Sequence, residues 1–385
     1  MRIQVLLLTM LLCLAAGAPI TLAADPLLAP MKRANGEKWR IGYMEGGHYN
    51  DYVPVTKATL AGLEALGWLR VTDTLCVEHA ETARELWACL GHGVQSEYLT
   101  FPQDAFWSSG WNEAKRVENR ETFYERANTT GDIDLMLALG TWAGQDLATN
   151  RHHVPTVVCS TSNAVASGII KSATDSGFDH VHARVDPTRY ARQVKLFHDY
   201  VSFKRLGIVY ENSVEGRSYA GIDQIAPLAR EYGFELEACH APFGGVSLAE
   251  AEASVRSCYE YLAPRVDAVY ITIHRGVNPT NMEAIIRPLL AHRLPSFAMG
   301  TLYEVRYGAL MSMAQPDFSY AGEFYAHTVA RILHGAKPRD LSQLLEDPQD
   351  ISINLETAKR IGFHFPLEVI GSARIIHETI EIYKE

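Results

Sequence analysis

Asp134-Leu135-Met136-Leu137-Ala138-Leu139-Gly140-Thr141-Trp142 holds an unbroken apolar run, Leu135 to Leu139, that stops at a glycine and a threonine, with a helical pattern beginning directly behind it. A strand without polar alternation is buried on both faces, as a central strand of a parallel sheet covered by crossover helices must be. The same arrangement recurs on either side. Upstream, Trp39 to Met44 ends in Glu45-Gly46-Gly47-His48-Tyr49 and leads into a helix from about Val53 to Leu66, with Ala58, Leu60, Ala61, Leu63 and Ala65 on its apolar face. A second strand is expected near Glu97 to Phe101, then a polar, aromatic-rich loop through Phe106, Trp107 and Trp111, then a charged helix ending near Ala127. Downstream, Val154 to Cys159 ends in Ser160-Thr161-Ser162-Asn163.

The pattern then restarts. After a helix from Thr188 to Val201, Arg205 to Tyr210 ends in Glu211-Asn212-Ser213, Phe234 to Cys239 follows, and a helix runs from Ser247 to Leu262. Ala268 to Ile273 ends in His274-Arg275-Gly276, and Ser296 to Met299 ends in Gly300-Thr301. Gly308 to Met313 reads as a strand returning toward the first half, and Tyr320 to Leu333 as a helix stopped by Gly335 and Pro338. The predicted fold is α/β, two Rossmann-like lobes with parallel sheets, residues 24–186 and 187–300, the first with an insertion at about 67–93. Residues 301–385 supply hinge crossings and C-terminal segments returning to the lobes. Chain crossings are expected near Asp186, from Met299 to Tyr307, and near Gln315. Polar turns at the carboxyl ends of parallel strands are where open α/β sheets bind ligands.

The amino terminus carries Arg2, an apolar run from Val5 to Ala18 and Thr21-Leu22-Ala23, the pattern of a secretory signal peptide, residues 1–23, cleaved before Ala24. The bulky Leu12 before Cys13 does not match a lipoprotein signal, and no later segment is long and apolar enough for a membrane span. An exported, soluble, periplasmic protein is expected. A formal net charge of -10 argues against nucleic acid or an anionic membrane surface as partner. Five cysteines remain after cleavage in a compartment that permits disulfides. Cys76 and Cys89 flank one short segment and Cys239 and Cys258 another, which favours two local disulfides and a lone buried Cys159; spacing alone does not exclude five buried thiols.

Ile41-Gly42-Tyr43, Leu139-Gly140-Thr141, Val154-Pro155, Ser167-Gly168-Ile169 and Gly207-Ile208-Val209-Tyr210 occur in this order. Gly308-Ala309, Ile332-Leu333-His334-Gly335-Ala336-Lys337-Pro338 and Ile353-Asn354-Leu355-Glu356-Thr357-Ala358 follow them. In these markers the chain resembles the periplasmic substrate-binding proteins of ABC transporters, type I fold, in the subfamily that includes tryptophan- and other amino-acid-binding members. The resemblance implies a hinged, monomeric clamp that captures a small-molecule ligand and presents it to an ABC permease, with no cofactor. A sensor module signalling to a membrane kinase or chemoreceptor is the alternative the fold allows. Amino-acid-binding relatives commonly carry an acid followed by Pro where this chain has Asn163-Ala164, and an acid where it has His274-Arg275. An ammonium group in a closed cleft needs an anionic partner. The departures therefore point to a small polar ligand that is neutral or anionic rather than a zwitterionic amino acid, with Glu45 or Glu211 as the acids able to overturn that inference.

Candidate ligand contacts in the first lobe are Gly46, Gly47, Tyr49, Gly140, Thr141, Trp142, Ser160, Thr161 and Asn163; backbone N–H groups and hydroxyls at helix starts suit an anion, though helix capping uses the same residues. Tyr49 and Trp142 could stack on a planar body or simply pack. Candidates in the second lobe are Glu211, Asn212, Ser218, His274, Arg275 and Thr301, with Arg275 as the anion clamp. His152-His153 lacks partners at metal-ligand spacing. With no Gly-x-Ser-x-Gly elbow, His-Glu-x-x-His or P-loop, nothing argues for catalysis.

Overall fold

The computed structural model describes residues 25–300, 303–313 and 317–384. The leader, Thr301 and Gln315 lie outside the described residues. The first lobe begins with β1 (Trp39–Glu45) and α1 (Tyr52–Ala65). The insertion follows as β2 (Arg70–Val71), α2 (Thr74–His79), α3 (Ala83–His92) and β3 (Val94–Gln95). Then come β4 (Leu99–Thr100), β5 (Phe106–Ser108), α4 (Glu113–Thr129), β6 (Leu135–Leu139), α5 (Gly140–Leu147), β7 (Thr156–Cys159) and β8 (Val181–Ala183). These strands form a parallel sheet in the order β4-β1-β6-β7-β8, with β5 beside β1 beyond the end of β4. All five residues of β6 are buried, as its apolar run requires.

Two strands depart from the sequence reading. The expected loop through Phe106 is β5, held on β1 because Phe106 stacks on Tyr43 with ring centroids 5.0 Å apart. Three-residue β8, with His182 at its centre, closes the sheet on the far side of β7. In the insertion, β2 and β3 pair antiparallel, and a Cys76–Cys89 disulfide fastens α2 to α3. Cys159 is a buried free thiol.

The second lobe contains α6 (Arg189–Val201), β9 (Arg205–Tyr210), α7 (Val214–Tyr219), α8 (Ile222–Tyr232), β10 (Glu235–His240), α9 (Leu248–Leu262) and β11 (Ala268–Ile271). It continues with α10 (Met282–Ala291), β12 (Ser296–Ala298) and β13 (Met311–Met313). After the crossing helix α11 (Ser319–Leu333) come β14 (Ile351–Asn354), α12 (Leu355–Ile361), α13 (Leu367–Ser372) and β15 (Ala373–His377). The sheet order is β10-β9-β11-β12-β13-β14-β15, parallel except for β13 against β14. A Cys239–Cys258 disulfide ties β10 to α9.

Gly308 to Met313 does not return to the first half, as the sequence led one to expect, but joins the second sheet. Those residues end in β13, which pairs with β12 and β14 inside the second sheet, and Val305 and Ala309 pack in the second lobe's core, so the described residues between Met299 and Tyr307 stay with that lobe. What returns is α11. It packs along α1, and the two helices approach so closely that a Cβ on Gly322 would overlap the backbone of Ala58. The chain then passes β8, where Val185 bridges Leu344 and the Gln343 side chain accepts from Ala183 N–H, before re-entering the second lobe at β14. Each sheet carries apolar clusters on both faces, and a smaller cluster of Trp111, Trp142, Tyr219 and Phe243 lies between the lobes.

Candidate functional site

The carboxyl ends of β1, β6 and β7 face those of β9 and β11 across a cleft walled by aromatic rings. Trp111 stands at its centre, edge-on to Trp142 at 5.3 Å and to Phe243 at 5.0 Å, while Phe243 meets Tyr219 at 4.6 Å. Trp111 and Trp142 come from the first lobe, Tyr219 and Phe243 from the second. Gly46 and Gly47 form the bed of the Trp111 indole: a Cβ on Gly46 would lie 2.8 Å from that ring and one on Gly47 2.7 Å from the Trp111 backbone nitrogen. Trp111 N–H donates to Gly46 O at 2.7 Å and its indole N–H to His48 O at 2.9 Å. The two glycines thus serve a tryptophan that the sequence reading placed in a connecting loop. Trp111 has φ 61° and Ser160 φ 52°, left-handed values that a side chain normally avoids, and both sit at this cleft.

The first-lobe candidates come together here. Gly140 opens α5 at φ 80°, where a Cβ would overlap the Tyr52 hydroxyl. Thr141 and Thr161 hydroxyls are 3.3 Å apart. Trp142 is covered on its outer side by the Arg116 guanidinium, 4.6 Å from the ring and itself paired with Asp146 at 2.9 Å. Ser160 N–H donates to the Tyr325 hydroxyl at 3.3 Å. Asn163 is engaged differently: its side-chain oxygen accepts from Val165 and Ala166 N–H, and its backbone oxygen accepts from the Ser167 and Ser218 hydroxyls.

The second-lobe candidates divide. Ser218 lies in α7 and bridges the lobes, its hydroxyl 2.6 Å from that of Ser167. Glu211 accepts from Phe243 N–H at 2.9 Å, Gly244 N–H at 3.3 Å and the Ser213 hydroxyl at 2.8 Å, which fixes the loop that presents Phe243. Asn212 is exposed and away from the cleft cavities. His274 is buried, with one ring nitrogen accepting from Gly276 N–H and the other facing Ala241 O, and burial pushes its pKa down to about 4. It is a neutral brace for the 241–243 loop, with neither nitrogen left for a ligand. Arg275 lines the mouth of the cleft and donates to Phe243 O and Val246 O, both at 3.0 Å.

Three cavities adjoin along the cleft. The inner one, about 40 Å³, is lined by Asp51, Ser160, Thr161, Arg184 and Arg189; a middle one of about 20 Å³ lies among Trp111, Tyr219, Phe243 and Thr141; the mouth opens to about 480 Å³. Tyr49 lines all three. The inner gaps are far below the several hundred Å³ a bound small molecule occupies, so a solute with a ring can lie between the lobes only if they part. Tyr219 carries a buried hydroxyl with no well-formed hydrogen bond, although Thr141 lies across from it.

Asp51 is the residue the sequence reading missed. It precedes α1 but caps no backbone N–H there, and among the described residues its carboxylate accepts no hydrogen bond. Burial raises its pKa to about 6 against the opposing pull of Arg189. Arg189 itself pairs with Asp347 at 2.8 Å, and Arg184 contacts the same carboxylate. Glu45, by contrast, is satisfied by Tyr43 and Ser108 hydroxyls and lines none of the three cavities. Asp51 thus brings a carboxylate to the cleft although Asn163 and His274-Arg275 supply none. Asp73, Cys76 and His92 lie together as metal ligands might, but the Cys76 sulfur is committed to its disulfide. No helix among the described residues is long and apolar enough to cross a membrane.

Known structures share this architecture. A streptococcal ABC domain in complex with L-Trp (Streptococcus pneumonia) is 18% identical, with a TM-score of 0.66 over 88% of this chain and 99% of that one. A conserved domain protein from Vibrio cholerae is 21% identical, with a TM-score of 0.63 over 88% of this chain and 99% of that one. A ligand-free, open substrate-binding protein with adhesive properties from Clostridium difficile is 18% identical, with a TM-score of 0.54 over 89% of this chain and 100% of that one. No curated protein matches the chain. At these identities the likeness speaks for the fold. The family is shown by the match of residues 111–376, more than half of the chain, to the model for ABC transporter substrate binding proteins, and it is to this family that the chain belongs.

Proposed function

We propose that the protein is a periplasmic, monomeric receptor whose solute has a planar apolar body and a polar head that brings a cationic group to Asp51. The family establishes solute capture for an importer. The observation that carries the finer reading is the half-buried carboxylate of Asp51, which accepts no hydrogen bond among the described residues and lines the gap adjoining an aromatic wall built from both lobes. A buried charge without a partner is costly, and a ligand ammonium would offset that cost. Ser160 and Thr161 beside Arg189 supply donors for a carboxylate on the same head. Because Trp111 and Phe243 belong to opposite lobes and both line the middle gap, a ring that enters it gains its full contact only when the lobes close, which gives the ligand its bias on the hinge.

The test is calorimetry with L-tryptophan, the ligand of the streptococcal structure, against indole-3-acetate and neutral heterocycles, with mass spectrometry of material released on denaturation. Zwitterionic planar compounds should bind tightest and reduce the radius of gyration in small-angle scattering. Tight binding of indole-3-acetate with none of L-tryptophan would remove the role given to Asp51.

A further inference from the structure

We infer that the solute carries a second anionic group at the end remote from its polar head, received by Arg275 in the cleft mouth. This rests on the reading that a planar solute lies with its head at Asp51. The order of the cavities sets the geometry. The inner and middle gaps share Tyr49, Ser160 and Ile273, while the middle gap and the mouth share Tyr49 and Trp111. A ligand running from Asp51 through the aromatic wall therefore emerges beside Arg275.

The mouth, at about 480 Å³, holds most of the room in the cleft. Its lining includes His48, Asn50, Arg275, Asn278 and Thr280, and no carboxylate. Arg275 is half-buried, and among the described residues no acid pairs with it, whereas the comparably buried Arg116, Arg184 and Arg192 are matched by Asp146, Asp347 and Asp186. Its two hydrogen bonds both leave from Nη1, to Phe243 O and Val246 O, so these carbonyls orient the guanidinium while Nε and Nη2 have no acceptor among the described residues. Asn278 is committed to Glu252 and to Arg275 O, and Thr280 donates to Asn278, which fixes the floor around the cation. Burial lowers the pKa of His48, so this ring adds no charge near neutrality, and burial alone also lowers that of Arg275, with no carboxylate opposing. A half-buried cation with no acid beside it among the described residues is complementary to an anion that arrives from outside.

The experiment uses three probes near neutral pH: L-phenylalanine, 4-carboxy-L-phenylalanine and 4-carbamoyl-L-phenylalanine, the last a neutral isostere of the second. The carboxylate should bind wild-type protein about tenfold or more tighter than the carboxamide, hydrogen bonds to a charged group being worth at least that. The ratio should collapse toward one in Arg275→Met and survive in part in Arg275→Lys. Because each ratio compares two compounds on one protein, a loosened 243–246 loop cancels. If Arg275→Met does not fold, added salt on the wild type gives the same information by shrinking the ratio. If L-phenylalanine binds and the carboxylate gains nothing over the carboxamide, this inference falls and Arg275 passes to another role, such as contact with the permease. If no probe binds, the planar-solute reading falls and takes this one with it.

Discussion

Asp51→Asn separates what the cleft acid costs the protein from what it contributes to binding. The ordinary aspartate value is 3.8, and burial raises that of Asp51 to about 6. Below pH 3.8 the carboxyl is protonated whether the chain is folded or not, and the substitution should change little. As pH rises from there, the unfolded chain ionises first, so the wild type loses stability until the folded value is passed near 6, and the loss is constant above it. A rise from 3.8 to about 6 at 1.36 kcal/mol per decade corresponds to as much as about 3 kcal/mol. Water regained when the lobes part reduces this, because the penalty falls on the closed form. In urea unfolding, Asp51→Asn should match wild type near pH 4 and exceed it progressively toward pH 7. Calorimetry with a zwitterionic planar solute should show the reverse: the variant binds weakly, and wild-type affinity falls as pH drops through 6. A variant less stable than wild type at neutral pH, or wild-type binding indifferent to pH between 5 and 7, would refute the account of an uncompensated acid.

Trp111 is 6% exposed and contacts rings from both lobes, so Trp111→Ala should cost about 3 to 5 kcal/mol in urea unfolding, as large aromatic truncations do; a loss under about 1 kcal/mol would place this ring outside the cooperative core. The Cys239–Cys258 bridge closes a separation of 19 residues, and replacing both cysteines with Ser should cost about 3 kcal/mol through the unfolded chain; unchanged stability in the double variant would show that the bridge does not constrain that state. His152, His182 and His274 are all held near 4 by burial, so protons bind the unfolded chain first and stability should fall as pH drops from 6.5 toward 4. His274→Gln should flatten that slope by up to about 3 kcal/mol over the interval, and an unaltered slope would mean that the ring is hydrated.

The fold was largely legible because its central strands are buried on both faces. β6 and β9 read directly as apolar runs, and their polar ends mark the cleft without knowledge of the partner lobe. β5 and β8 were not legible: each has three residues, too few to show a period, and each is held by a neighbour distant in sequence, Tyr43 for the first and the 342–343 segment for the second. The destination of residues 308–313 was misread for a related reason, since a short buried strand looks the same whichever sheet receives it.

The site was legible in its outline and not in its chemistry. Gly46-Gly47 signalled a close approach, but what approaches is Trp111, whose left-handed backbone no sequence pattern announces. The acid was sought at strand ends, whereas it stands immediately before a helix, where Asp is ordinarily a cap. Asp73 and Asn112 occupy the same position before α2 and α4 and do cap, accepting from Cys76 and Lys115 N–H. Asp51 does not. Position is alike in all three and residue type in Asp51 and Asp73, so only geometry distinguishes the aspartate that stabilises its helix from the one whose oxygens remain free in the cleft. That difference ties the acid to closure. A capping carboxylate is satisfied whether the lobes are open or shut, but Asp51 exchanges water for burial each time they meet, so a cation delivered by the solute relieves a cost that exists only in the closed form.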